Sequence, residues 1–185
     1  MALSGAYEDV LTRSGTGGWK LRLEWSATQN KRNNTSKVTA KLYWISFGNG
    51  YSVRSTASKT CNITINGNTG SKTQSGLAAL GYNHKKLIHT HTRTIKHDSL
   101  GRATFTLGAK FWCKVTLFWS SSSRQYVDSF EIPTKTITLD TIPLRIKRYD
   151  GSTWIPAARV RRYDGNVWKD ATIRKRYDGS KWIDV

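Results

Sequence analysis

A chain of 185 residues with a net charge of +18, 37% hydrophobic content and eight Trp suits one medium domain with an appendage, and it excludes a wholly disordered chain. No long apolar run occurs, and the start, Met-Ala-Leu-Ser-Gly-Ala-Tyr, has neither a basic nor a hydrophobic segment, so no membrane insertion and no secretory signal are expected. With 12 Asp and Glu against 30 Lys and Arg, two-carboxylate hydrolysis has few candidates, and no nucleophile motif accompanies the histidines.

Residues 1–18 hold Gly5, Gly15, Gly17 and Gly18 with little apolar content and read as a mobile or draped N-terminal segment. Alternation then starts sharply. Trp19, Leu21, Leu23 and Trp25 share one face and Lys20, Arg22 and Glu24 the other, which predicts a half-buried strand. After a polar loop at residues 29–36, Val38, Ala40, Leu42 and Trp44 mark a second strand. Turn signals at Gly48-Asn-Gly50 and Asn66-Gly67-Asn68 bracket strands at residues 51–55 and 59–65. Residues 71–86 have no clear period, and Leu77-Ala-Ala-Leu80 reads as one turn of helix or a packed loop. Leu87 then opens a Thr-rich strand that runs to Ile95.

Residues 96–102 form a turn, and residues 103–119 read as one long strand with Phe105, Leu107, Ala109, Phe111, Cys113, Val115 and Leu117 on a single face. A tip at residues 120–123 and return strands at 127–132 and 134–139 follow. Every element has period two. The expected fold is all-β, an antiparallel sandwich of jelly-roll or immunoglobulin-like type over residues 19–142, followed by a β-hairpin repeat appendage over 143–185. Pro143 marks the joint, because proline cannot continue a ladder. Cys61 and Cys113 lie on apolar faces and are expected to be reduced and buried.

The appendage is a repeat. Arg-Tyr-Asp-Gly recurs at residues 148–151, 162–165 and 176–179 with a spacing of 14, and each copy is followed by Ser or Asn, a variable residue and a Trp. Asp-Gly tolerates positive φ and the flanks alternate, so each copy predicts a hairpin that sets Tyr149 near Trp154, Tyr163 near Trp168 and Tyr177 near Trp182. These six aromatics either pack the hairpins or form a ladder of shallow binding sites. In the second case the neighbouring pairs Lys147-Arg148, Arg161-Arg162 and Lys175-Arg176 meet phosphate or carboxylate groups while the rings stack on sugars.

His84, His89, His91 and His97 fall within one short segment, and His89-Thr-His91 puts two imidazoles on one strand face. A closed metal site needs further donors that the spacing does not supply, so packing and turn formation are the expected roles, with no metal and no cofactor. Gly15-Thr-Gly-Gly18 precedes a strand and lacks the helix N-terminus of a phosphate loop. The basic, aromatic composition also fits a single-stranded nucleic-acid-binding protein, although the 14-residue repeat matches no such module.

The segment from Leu87 to Phe111, a Thr-rich strand followed by Ile95-Lys-His97-Asp98, Gly101 and a strand ending Ala109-Lys-Phe111, resembles the His-Asn-x-Asp-Gly module of tail and baseplate proteins of bacteriophages of Gram-positive hosts. The closing Thr138-Leu-Asp-Thr-Ile-Pro143 is similar to the end of that module. Where the family has Asp then Gly, this chain has Leu100-Gly101 with the acid at Asp98. The resemblance implies a virion structural protein without catalysis, a tail-tip or fibre component attaching to a host polyanion, cell-wall polymer or glycan. Other virion proteins are implied as partners, with a homo-oligomer, most simply a trimer. A decoration or assembly protein on an acidic virion surface is the alternative.

Overall fold

The computed structural model describes residues 2–12, 17–48, 52–98, 100–118, 124–143, 147–149, 152, 154–156, 161–163, 165–170, 175–177 and 182–184. They form an all-β protein built on an antiparallel sandwich. Among them there is no helix, and so none long and apolar enough to cross a membrane. One sheet has the order β1-β2-β3-β6, from β1 (Ser4–Thr12), β2 (Gly17–Asn30), β3 (Thr35–Gly48) and β6 (Lys85–Lys96). The other has the order β10-β7-β4-β5, from β4 (Ser58–Ile65), β5 (Asn68–Ser75), β7 (Thr104–Trp112) and β10 (Phe130–Thr138). The chain crosses between sheets after β3, β5 and β6. Consequently β3 pairs with β6 while β4 pairs with β7, and the two sheets are interlocked.

Period-two patterning explains the layers. Trp19, Leu21, Leu23 and Trp25 of β2 and Val38, Ala40, Leu42 and Trp44 of β3 are buried, facing Cys61, Ile63 and Ile65 of β4 and Phe105, Leu107 and Phe111 of β7. Aromatic rings lock the layers together. Trp25 meets Phe105 edge-on at 5.5 Å between centroids, and Trp44 meets Phe111 at 5.7 Å and Phe130 at 4.9 Å. Truncating a fully buried Trp such as Trp44 to Ala costs about 3–5 kcal/mol.

Five expectations are corrected. Residues 4–12 are not a draped segment but strand β1, paired with β2 from Ser4↔Ser26 to Thr12↔Gly18, with Tyr7 and Leu11 packed against the core. The strand expected at residues 51–55 reduces to Val53, which forms an isolated bridge with Leu80. Residues 68–75, expected as part of a turn and an illegible loop, form the edge strand β5. The Asn66-Gly67 turn (φ 49° and 74°) directs it back along β4 with Ile65 opposite Asn68.

The fourth concerns the long strand at residues 103–119. It breaks at Lys114, whose φ is 45°, and β8 (Val115–Phe118) leaves the sheet to pair with β9 (Arg124–Val127). Burial continues through the break at Cys113, Val115 and Leu117, so the alternation persists although the ladder does not. The polar loop at 29–36 is likewise shorter than expected, a four-residue turn at 31–34. The expected tip at 120–123 lies outside the described residues, as do residues 49–51 after Gly48.

The turn at residues 76–79 is held by side chains from outside it. Lys86 Nζ donates to the carbonyls of Gly76, Leu77 and Ala79 at 2.8, 3.2 and 2.9 Å, and Trp44 Nε1 donates to Ala78 O at 3.2 Å. Four consecutive carbonyls are thereby satisfied without a helix, while Leu77, Ala78 and Leu80 fill the core. Beyond β10, β11 (Lys147–Tyr149) pairs with β12 (Trp154–Pro156), β13 (Arg161–Tyr163) with β14 (Trp168–Asp170), and β15 (Lys175–Tyr177) with β16 (Trp182–Asp184).

Candidate functional site

The three hairpins share one register. Tyr149 is directly opposite Trp154, Tyr163 opposite Trp168 and Tyr177 opposite Trp182 in the backbone ladders. Gly165 in the middle turn has a φ of 100°, the conformation for which the Asp-Gly step is suited. Adjacent positions of a two-stranded ribbon fall on opposite faces. Positions 147, 161 and 175 therefore share a face with the Tyr–Trp positions, and positions 148, 162 and 176 lie on the other.

That register divides the six basic residues into two sets. In the backbone register position 161, an Arg, stands opposite Asp170 and position 175, a Lys, opposite Asp184, whereas position 162, an Arg, stands opposite Lys169. Lys147 pairs with Pro156, and Arg148 and Arg176 pair with Ile155 and Ile183. In the middle hairpin Tyr163 is 57% exposed.

The histidines separate into two unlike environments. His97 is buried, with Nε2 2.7 Å from Ser36 Oγ and Nδ1 2.7 Å from Gly101 O. In the neutral ring the carbonyl requires the proton on Nδ1, which leaves Nε2 to accept from Ser36. Asp98 closes the same turn. Its Oδ1 accepts the N–H groups of Leu100 and Arg102 at 2.9 and 2.8 Å, and Oδ2 accepts Arg102 Nε at 3.0 Å. The Arg102 amide, with help from Leu100 and the Arg102 side chain, holds the Asp98 carboxyl below its usual range. The pair thus builds a turn, as the sequence reading favoured.

His89 and His91 lie with their rings nearly parallel, 6.4 Å between centroids, and His91 Nε2 contacts Asn68 Oδ1 at 3.0 Å. Burial lowers the His89 pKa, opposed by the Gly70 backbone and reinforced by His91 and Lys72. Among the described residues no group of three or more His, Cys, Asp or Glu is arranged to hold a metal ion. Cys61 and Cys113 are free and buried, and burial pushes both thiols up to about 11.

A further surface feature was not anticipated. On the outer face of the second sheet a shallow groove of about 400 Å³ is lined by Lys59, Thr60, Asn62, Ser71, Trp112 and Lys114. Trp112 holds an outward position of β7, after Thr104, Thr106 and Lys110, and it stands directly opposite Thr60 of β4. A tryptophan on the polar side of an alternating run is the signal that identifies it from sequence. On the outer face of the first sheet, Glu8 pairs with Lys20 and Arg22, and Glu24 with Arg22 and Lys85, so these acids partly neutralise the local positive charge. No family model, curated protein or solved structure matches this chain.

Proposed function

We propose that the chain is a non-catalytic structural component of a bacteriophage particle, at the tail tip or fibre, that attaches to a polyanion or glycan of the host surface through its three hairpins. The observation that carries this reading is the repeated register, which presents a Tyr–Trp pair beside a basic position three times in identical form. Large rigid aromatics supply contact area at low entropic cost, and repeated cations suit a repeating anionic ligand. The resemblance of the Leu87 to Phe111 segment to phage tail modules supports the virion setting. A short hairpin gains little burial alone, so shared packing in a homotrimer accompanies the reading.

The test is binding of the full chain to host cells and to purified wall polymer across a salt series. Neutralised phosphates release counterions, so affinity for a linear polyanion falls steeply with salt. Replacing Lys147, Arg148, Arg161, Arg162, Lys175 and Arg176 together by Gln flattens that dependence, whereas Trp168→Ala weakens binding without changing the slope. Unchanged cell binding in both folded variants removes the hairpins from attachment. Light scattering tests the trimer, and a monomer at micromolar concentration counts against it.

A second reading has its own support. Residues 1–142 carry 19 Lys and Arg against 7 Asp and Glu, so most of the excess charge belongs to the sandwich and not to the repeats. That distribution favours a decoration protein held on an acidic virion surface. Retention on particles that is lost at high salt, without any cell binding, selects it.

A further inference from the structure

We propose that the outer face of the second sheet carries a saccharide-binding subsite centred on Trp112, which takes a pyranose ring bearing an anionic substituent. The ligand class deepens the attachment reading above and rests on it for biological setting, but the groove's chemistry stands on its own residues.

The Trp112 ring is partly exposed at the end of β7 and supplies an apolar, π-faced platform in the groove. The C–H face of a sugar ring suits such a surface, and the hydroxyls at its edge need hydrogen-bonding groups beside it. Those groups are present. Thr60 stands opposite Trp112, Asn62 is two positions along the same strand, and Ser71 of β5 stands opposite Asn62. Asn62 Oδ1 is buried yet has no hydrogen-bond partner. A buried carbonyl oxygen without a donor is rare and costly, and a ligand hydroxyl would complete it.

The rim is cationic. Lys59 and Lys114 line the groove, with Lys59 Nζ held by Lys114 O at 3.1 Å, and Lys110 Nζ lies 5.5 Å from the Trp112 ring centroid. Lys110 is already paired with Glu131 at 2.7 Å, so Lys59 and Lys114 are the cations assigned to an anionic substituent. The rim therefore selects a carboxylated or phosphorylated sugar over a neutral one. A single aromatic platform walled by hydroxyl and amide groups fits one hydroxyl-rich ring. Single-stranded nucleic acid needs successive platforms for successive bases.

The test titrates the full-length chain with oligoalginate, a carboxylated pyranose chain, and follows the indole N–H resonance of Trp112, assigned from Trp112→Phe. Parallel arms use neutral maltohexaose, linear polyphosphate and decathymidylate. The expected result is a saturable shift with oligoalginate, larger than with any other probe. Ser71→Trp, which fills the groove from an exposed edge strand, abolishes it, and Asn62→Ala weakens affinity about tenfold, as loss of a ligand hydrogen bond requires. Alginate binding that leaves the Trp112 resonance unmoved overturns the subsite and assigns binding elsewhere. An equal shift with maltohexaose overturns the anionic requirement, with polyphosphate the role of the ring, and with decathymidylate the saccharide class. The hairpin variants used to test attachment leave the Trp112 shift in place, so failure of attachment and failure of this subsite are read separately.

Discussion

Asp9 of the edge strand β1 reaches across the open side of the sandwich, its Oδ2 accepting the backbone N–H of Glu131 in β10 at 2.8 Å over 122 positions of sequence. The contact joins the edges of the two sheets beside the β10 irregularity between Ile132 and Lys135, and the Ala2–Leu139 bridge joins them again at one end. An unpaired edge is a template for association, and a side chain that occupies an edge N–H blunts it. Asp9→Ala is expected to lower stability by about 0.5–1.5 kcal/mol, the net range for a typical hydrogen bond, since the contact is exposed, and Asp9→Asn by less. Urea unfolding monitored by Trp fluorescence measures both.

The turn around His97 is over-determined. His97→Ala strands Ser36 Oγ in the interior and removes one of the two donors to Gly101 O, which keeps the Ile142 N–H at 2.8 Å, and a loss of about 1–3 kcal/mol is expected. Gly101→Ala is more severe. Its φ is 75°, and a Cβ would stand 2.0 Å from Ile142 O, a backbone atom that cannot move aside alone. The expected outcome is a chain that fails to give a cooperative transition, while Leu100→Ala next to it retains one. A Gly101→Ala protein with a normal melting curve refutes the account of this turn.

Stability should fall on mild acidification. His89 is half-buried and desolvation lowers its pKa below the ordinary value of 6.5, so the unfolded chain takes up a proton at a pH where the folded chain does not. The unfolded state then binds more protons, and stability declines as pH falls from about 6.5 towards the folded pKa. Glu8, Glu24 and Asp98 act in a lower window. Their folded pKa values are depressed, so their stabilisation is lost only as pH falls below about 4. His89→Gln should flatten the pH dependence between about pH 7 and 5.5 and leave the acid limb intact. Urea midpoints at a series of pH values separate the two windows.

Removing Lys86 should unfasten the turn at residues 76–79. Lys86→Met keeps the stem but withdraws the ammonium from three carbonyls, and a loss of about 2–3 kcal/mol is expected. Hydrogen exchange should show the loss confined first to the neighbourhood of Leu77 and Leu80.

Cys61 and Cys113 should resist a soluble disulfide reagent in the native protein, because both are 0% exposed and their thiols are pushed up to about 11. Two thiols should titrate once the chain is unfolded in urea. Rapid native reaction of either would show that its strand opens easily.

Period-two alternation by itself determined the composition of the core, since burial of Trp19 to Trp25 and Phe105 to Phe111 follows from side chains that alternate across a pleat. The same holds for the hairpin registers, where Asp-Gly and its flanks leave few alternatives. Strand β5 was not legible, because an exposed edge strand such as Asn68–Ser75 needs no apolar face and is specified by the turn before it and by Thr pairs such as Thr60–Thr73 and Thr64–Thr69. Nor could alternation report the break at Lys114, which changes the backbone partner without changing which residues are buried. The outward place of Trp112 is legible in the alternation, but the groove around it was decided by tertiary structure. Its walls come from β4, β5 and β7, which are brought side by side only when the chain crosses between sheets, and no local pattern encodes that neighbourhood.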